Sequence, residues 1–362
     1  MKIAIISSCS SIHVKKIANA LVARGHEITI YTLPQTMKIV NDFSDKITIK
    51  KLPFGGKIGY YLNALYLRKE FKKNKYDLYN SHYASGYGTL VRLAGCHPLT
   101  LAVFGADVYD VPFKSSWHRR LVIKNLRNAD VITSTSHVMA DKVREYYHDN
   151  RPIYVTPFGV DLDRFRPQPI EKDDVFEFGI VKKIEPKYGI DILIKAYKQF
   201  RDNHPDEKSR LVIYGRGSYV DEYKGLSSSL GISDNVLFKG FVSNEQVPEA
   251  FSRMDVACFP SVLDSESFGV AAVEAMACGT PVIVSDASGF TEVVVNGETG
   301  LVVPKKNQEA LLAAMEKMFA MSKEERLKMG EHGVARVRRL YNFEDNMDTY
   351  FSSITKMFEN EA

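Results

Sequence analysis

Long apolar runs are missing from this 362-residue chain. No stretch approaches the ~18 consecutive apolar residues of a membrane-spanning helix, so a helical membrane bundle is excluded. Cysteine is scarce. Cys9, Cys96, Cys258 and Cys278 are scattered without metal-ligand spacing, which argues against a disulfide framework or a zinc ribbon. Cys258 in "VACFP" and Cys278 in "AMACG" read as small core hydrophobes. The turn after the first apolar run, "SSCSSIH", has no glycine, and a dinucleotide-dependent dehydrogenase would need G-x-G-x-x-G there. No internal repeat, low-complexity segment or H-E-x-x-H motif occurs, and no metal site is expected.

What is present is an ordinary globular composition, 45% hydrophobic and 25% charged, with a length that suits two domains. The opening "MKIAIISS" is too short for a signal peptide and reads as a buried strand, so cytoplasmic residence is expected. Charge is unevenly divided. Residues 1–165 carry 24 Lys+Arg against 13 Asp+Glu, a net +11, whereas residues 166–362 carry 24 against 31, a net −7. Two modules with different partners are implied. A basic half without any nucleic-acid-binding motif gives little support to nucleic acid as a partner.

Short β-branched runs alternate with helical patterns through the first half: "IAIIS", "EITIYT", "DLYNSH", "LTLAVFG", "DVITST" and "IYVTP" read as strands. "VKKIANALVARG" reads as a helix stopped by Gly25. The alternation breaks at "PFGVDLDRFRPQP" (157–169), the best linker in the chain, and restarts with "FEFGIV", "RLVIYG", "NVLFKG", "DVACFP" and "PVIVSD". The expected fold is α/β, with two doubly wound, Rossmann-like domains facing each other across a cleft. The first domain would span 1–165 and the second 166–345. The aromatic-rich segment 346–362 would be a helix packing back on the first domain.

The segment "ESFGVAAVEAMACGTPVIVSD", Glu266 to Asp286, concentrates the chemistry. A helix starting near Gly269 would offer the N–H groups of Ser267, Phe268, Gly269 and Val270, and the positive end of its dipole, to a diphosphate. Glu274 would lie near enough to accept hydrogen bonds from a ribose diol, and Glu266 would sit at the mouth. The bland alternative makes both glutamates capping or solvent-facing helix residues.

The same segment resembles the E-x(7)-E signature of glycosyltransferase family 4, retaining nucleotide-sugar transferases with two Rossmann-like domains (the GT-B architecture). The resemblance extends to "SGFTEVVVNGETGLVVP", "LVIYGRGSYVDEYKGL" and "VLFKGFVSNEQVPEAFSRMDVACFPS", so that most of residues 176–345 fit. It implies transfer of a hexosyl unit from a UDP- or GDP-sugar to an acceptor hydroxyl, without a metal or other cofactor. It places Glu266 beside the donor sugar, the 267–270 amides around the phosphate, and Glu274 on the ribose. Gly215 would lie under the nucleotide, and the Phe241–Val242 backbone at the base. Lys183 stands at the family's arginine position. Tyr188 stands where a lysine is usual, with Lys187 next to it. Lys183 and Lys187 are therefore the expected phosphate cations.

In the first domain the family's cleft histidine is replaced by Phe104 in "VFGADVYDVP", with Asp107 retained as a catalytic candidate. Ser11, His13 and His82 are candidates for the acceptor side. Asp107 ranks above the histidines because a strand-end Gly-Ala-Asp has little structural need for a carboxylate. The implied acceptor is a lipid-linked or other glycan intermediate of cell-surface polysaccharide. The basic half, with the only tryptophan in "PFKSSWHRRLVIKNLRN", suits peripheral contact with an anionic membrane. A phosphorylase or epimerase of the same architecture, or a non-catalytic nucleotide-sugar binding module, are the alternatives.

Overall fold

The computed structural model describes residues 1–37 and 43–359. The chain forms two compact units, one comprising Met1–Phe158 with the chain from Asp345 onward, the other Gly159–Glu344. The change of unit falls at Phe158–Gly159. Gly159 has φ +67°, and a Cβ there would lie 2.7 Å from the Phe343 Cα, so only glycine lets the outgoing and returning strands of chain run this close.

The first unit is built on β1 (Lys2–Ile6), β2 (Glu27–Thr32), β3 (Thr48–Lys51), β4 (Leu78–His82), β5 (Leu99–Val103), β6 (Val131–Ser134) and β7 (Ile153–Val155), in the order β3-β2-β1-β4-β5-β6-β7. The second holds β8 (Phe176–Val181), β9 (Ser209–Tyr214), β10 (Val236–Gly240), β11 (Val256–Phe259), β12 (Val282–Ser285) and β13 (Gly300–Val303), in the order β10-β9-β8-β11-β12-β13. Every pairing is parallel. Helices cover both faces of such a sheet, so its inner strands are nearly continuous apolar runs such as "IAII" and "VACF". In each unit the order reverses beside the first strand, between β1 and β4 and between β8 and β11. That makes the carboxyl edge at those strands the natural ligand crevice.

Local signals set the helices. Gly25, at φ +84°, follows the end of helix Ile12–Ala23 as its position in the sequence predicts. Ser322 and Glu325 make both bonds of a capping box at the start of helix Lys323–Leu340. Gly330 in that helix lies on the turn after helix Val270–Ala277, and an added Cβ would meet the Gly279 carbonyl oxygen at 2.0 Å. The last helix, Phe343–Glu359, belongs to the first unit from Asp345 on. There Asn80 donates to the buried Tyr350 hydroxyl at 2.5 Å, Arg24 pairs with Asp348, and His26 stacks on Phe351. Among the described residues no helix is long and apolar enough to cross a membrane.

Two stability predictions follow from these contacts. Gly330→Ala brings in a better helix former but pushes a methyl into backbone, which should cost about 1–3 kcal/mol and lower the urea midpoint. His82, at the end of β4, is fully buried, and burial pulls its imidazole down to about 3. The folded state therefore holds it neutral, while the unfolded chain takes up a proton below its ordinary pKa of about 6.5. Stability is full above pH 6.5 and falls as pH drops from there toward 3. Urea midpoints measured from pH 7 to 4.5 should decline, and His82→Asn should flatten that decline.

Candidate functional site

The carboxyl edge of the second sheet gathers four segments. β8 runs into Lys182, and the loop after β9 folds back across it. Gly215, at φ +145°, and Gly217 lie so close that a Cβ on either would meet the Lys182 or Ile184 carbonyl oxygen at 1.9 Å. Backbone bonds from Lys182 N to Tyr214 O (3.0 Å) and from Ile184 N to Arg216 O (3.1 Å) fix the two segments together. Gly189, at φ +66°, starts helix Ile190–Asn203 and rests on the Pro260 carbonyl at the end of β11. Gly215, expected to make room for a nucleotide, thus also makes room for the main chain that carries Lys182.

The loop after β11 brings Glu266 to the same place. Its carboxylate takes the Lys182 ammonium at 2.8 Å and a bond from the Ser261 hydroxyl at 3.4 Å. Both partners are largely enclosed, with 14% of the Lys182 side chain and 12% of Glu266 exposed. Burial works against charge on Lys182, but Glu266, then Tyr188 and Glu274, outweigh it and raise its pKa, so it stays an ammonium. Its nitrogen also lies 4.8 Å over the Tyr188 ring. Asp264 pins the loop from the other side, accepting from Ser288 and pairing with Lys305 at 2.7 Å.

Gly269, left-handed at φ +81° and ψ +42°, caps helix Val270–Ala277; a side chain there would strike the Phe290 ring. The Gly269 carbonyl takes the N–H groups of Ala272 (3.0 Å) and Val273 (3.2 Å), and this helix start follows Glu266 in the loop after β11, beside the strand-order switch. Ser267 and Phe268 are buried, the latter edge-on to Tyr341. Glu274 sits half-buried in the helix and adds to the field on Lys182. Phe241 is exposed, with the Arg216 guanidinium 4.7 Å over its ring, and Val242 is half-buried.

Lys183 and Lys187, the expected phosphate cations, are both more exposed than Lys182. Lys183 is 64% exposed and pairs with Glu185 at 3.0 Å; Lys187 is exposed beside the Tyr188 ring. Side chains alternate across a strand end, so when Lys183 faces out its neighbour Lys182 faces in. The sequence offered "KK" without saying which points inward. The enclosed pair of Lys182 with Glu266, visible only in the structure, decides it.

In the first unit the expectations need correction. Asp107 is buried, and its carboxylate accepts from the N–H groups of Ala84 (2.7 Å), Gly105 (2.9 Å) and Phe104 (3.2 Å). It ties the turns after β4 and β5 together, so this carboxylate does have structural work. Burial raises its pKa, with the N–H bonds opposing. His82 lies in the core, 3.5 Å from the Tyr350 hydroxyl and packed on Phe104 with ring centroids 4.8 Å apart, closed to any ligand. His13 stacks on Phe158 at 3.7 Å and meets Phe104 edge-on. Ser11 precedes helix Ile12–Ala23 without a side-chain capping bond. Phe104 thus joins an aromatic group of His13, His82, Tyr83 and Phe158. Trp117 is 57% exposed and outside the core.

Comparison with known proteins bears on both units. Residues 161–336 match the family model described as glycosyl transferases group 1, and residues 2–136 match the one described as glycosyl transferase 4-like. A GDP-mannose-dependent alpha-(1-6)-phosphatidylinositol monomannoside mannosyltransferase of Mycolicibacterium smegmatis is 29% identical over 64% of this chain; the match spans 64% of that relative's length. A D-inositol 3-phosphate glycosyltransferase of Actinosynnema mirum is 27% identical over 81% of this chain and 79% of its own. Among solved structures, sucrose-phosphate synthase from Thermosynechococcus elongatus has a TM-score of 0.86 at 22% identity, covering 99% of this chain and 100% of that one. Anabaena HepE in complex with UDP has a TM-score of 0.83 at 17% identity, covering 98% and 100%. The chain belongs to glycosyltransferase family 4, and its two parallel sheets are those of a GT-B glycosyltransferase.

Proposed function

We propose that the protein transfers a hexosyl unit, with retention and without a metal, from a UDP- or GDP-linked sugar to the hydroxyl of a lipid-linked or other glycan acceptor. The observation that carries this reading is the enclosed Lys182–Glu266 pair beside the start of helix Val270–Ala277, with Glu274 farther along the same helix. An ammonium and helix N–H groups at one point suit a diphosphate, and Glu274 suits a ribose diol. Donors fixed in advance stabilise charge that develops on the departing diphosphate. The bond from the anomeric carbon to the phosphate oxygen breaks, and a bond to the acceptor oxygen forms on the same face. The acceptor proton passes to the departing phosphate oxygen. Glu266 steadies the positive charge on the sugar while Lys182 is shared between carboxylate and phosphate.

The donor's base and sugar remain a choice between two. The Mycolicibacterium relative is named for GDP-mannose, and HepE was solved with UDP. The Mycolicibacterium and Actinosynnema relatives are named for a phosphatidylinositol monomannoside and for D-inositol 3-phosphate, which supports an anionic or lipid-borne acceptor. The net charge of +11 over residues 1–165 supports peripheral contact with an anionic membrane. Ser11 and His13 are kept on the acceptor side; Asp107 and His82 position the turns around them.

Calorimetric titration with UDP, GDP and ADP tests the donor site. One nucleotide should bind in the micromolar range, and Glu274→Ala should weaken it clearly. Lys182→Met should cost roughly 10–100-fold, the worth of a charge-assisted hydrogen bond, and Lys183→Met less than about threefold. No binding by a folded protein, or equal losses in the two lysine variants, would refute the assignment. Incubation with UDP- and GDP-sugars should show no conversion of the sugar without an acceptor; conversion would favour an epimerase.

A further inference from the structure

The first unit exposes large apolar side chains in one short stretch. Phe54, Ile58, Tyr61, Leu62 and Leu65 are all open to solvent, Ile58 at 63% and Leu65 at 65%. They belong to helix Gly59–Lys73 and the loop that enters it. Ile58, Tyr61, Leu62 and Leu65 recur at three- and four-residue steps along its outer face, and Arg68, Lys69, Lys72 and Lys73 continue the same exposed stripe. The inner face, with Asn63, Ala64 and Leu67, is buried. The helix therefore has one face in the core of its unit and a second, apolar face that is exposed among the described residues and whose far half is basic.

This surface is held in shape. The buried Asn63 amide accepts from Phe54 N (3.1 Å) and donates to Phe54 O and Gly59 O (both 2.8 Å). Gly59 packs so tightly that a Cβ would meet the Phe54 oxygen at 2.5 Å. The loop is thereby folded against the start of the helix with the Phe54 ring left outside. The helix has one carboxylate, Glu70, and it is turned inward to Lys50 (2.5 Å), Tyr31 (3.2 Å) and Asn74 (3.1 Å). No negative charge stands on the outer stripe.

We propose that this face, Phe54 to Lys73, is the membrane-docking surface of the protein and that its occupant is an anionic lipid bilayer. An exposed apolar half followed by a basic half without carboxylates matches acyl chains next to phosphate headgroups. Lysine is depleted from the centres of protein–protein interfaces, which disfavours a protein occupant. The Phe54 loop and the first turns of the helix enter the headgroup boundary, and Arg68, Lys69, Lys72 and Lys73 lie along the phosphates. The inference rests on the membrane contact in the reading above, but it assigns that contact to a different helix from the one carrying Trp117.

Sedimentation of the full chain with vesicles tests it, using phosphatidylcholine alone and phosphatidylcholine with one third phosphatidylglycerol. The wild type should bind the anionic vesicles, bind the neutral ones more weakly, and lose affinity as salt rises. The Leu62→Glu, Leu65→Glu double variant and the Arg68→Ser, Lys69→Ser, Lys72→Ser triple variant should each bind at least tenfold more weakly. Trp117→Ala should bind within about threefold of wild type. All these side chains are exposed, and unchanged nucleotide titration would show each variant folded. The proposal is overturned if the helix variants bind like wild type while Trp117→Ala does not. It is overturned, too, if the wild type binds nucleotide but no vesicle, a result that leaves the donor-site reading standing. A concentration-dependent dimer, abolished by the Leu62→Glu, Leu65→Glu pair with vesicle binding unaffected, would replace the bilayer by a second copy of the chain.

Discussion

A lysine ammonium taken out of water is unfavourable by several kcal/mol unless an opposite charge meets it in good geometry. The carboxyl edge of the second sheet is organised around that requirement. Glu266 meets Lys182 only because the loop after β11 is held by Asp264 to Ser288 and Lys305. Two glycines let the loop after β9 lie on the main chain of Lys182 and Ile184. The start of helix Val270–Ala277 is set by a left-handed Gly269 fitted under Phe290. The glycine contacts are of backbone with backbone or ring, where no larger residue fits. The pair is thus a charged centre held ready by packing, the condition under which fixed dipoles and ions act most strongly on a departing anion.

Much of this was legible beforehand, and for a physical reason. Inner parallel strands are buried on both faces, so most print as apolar or β-branched runs; every inner strand was legible, even β4, whose "LYNSH" carries three polar residues. The two strands that were not, β3 and β13, are edge strands of four residues each. β3 is "TIKK", half exposed and ending in lysines, which carries the usual signature of a guarded edge and gives no apolar run to read. The glutamate pair and the glycine of "SFG" were equally legible, because an E-x(7)-E spacing on a helix start is a local pattern. The direction of two adjacent lysines is not local. It depends on the tertiary partner: the resemblance names Lys183, while Glu266, more than eighty positions away in sequence, holds Lys182 inside.

The first unit shows the opposite failure. Asp107 and His82 were picked as chemistry because polar side chains at strand ends so often are. Both turn out to serve the turns themselves: one satisfies three backbone N–H groups, the other fills a space against Phe104 and Tyr350. Phe104 in place of the family's histidine goes with this. A benzene ring beside His13, His82, Tyr83 and Phe158 makes an aromatic floor, and a charged imidazole in that company would be costly. Sequence alone records the substitution at Phe104 but not the rings it joins.

The last helix has a bearing on the order in which the molecule is made. Asn80, Thr100, Arg24 and His26, all from the first third of the chain, find their partners on Tyr350, Ile354, Asp348 and Phe351. A ribosome delivers those partners only after the whole of Gly159–Glu344. The Gly159–Glu344 unit is whole by then, whereas the unit begun first waits with the covering helix of its sheet still unmade. Synthesis from the amino end, which normally lets the leading domain finish first, here completes the inserted one before the host.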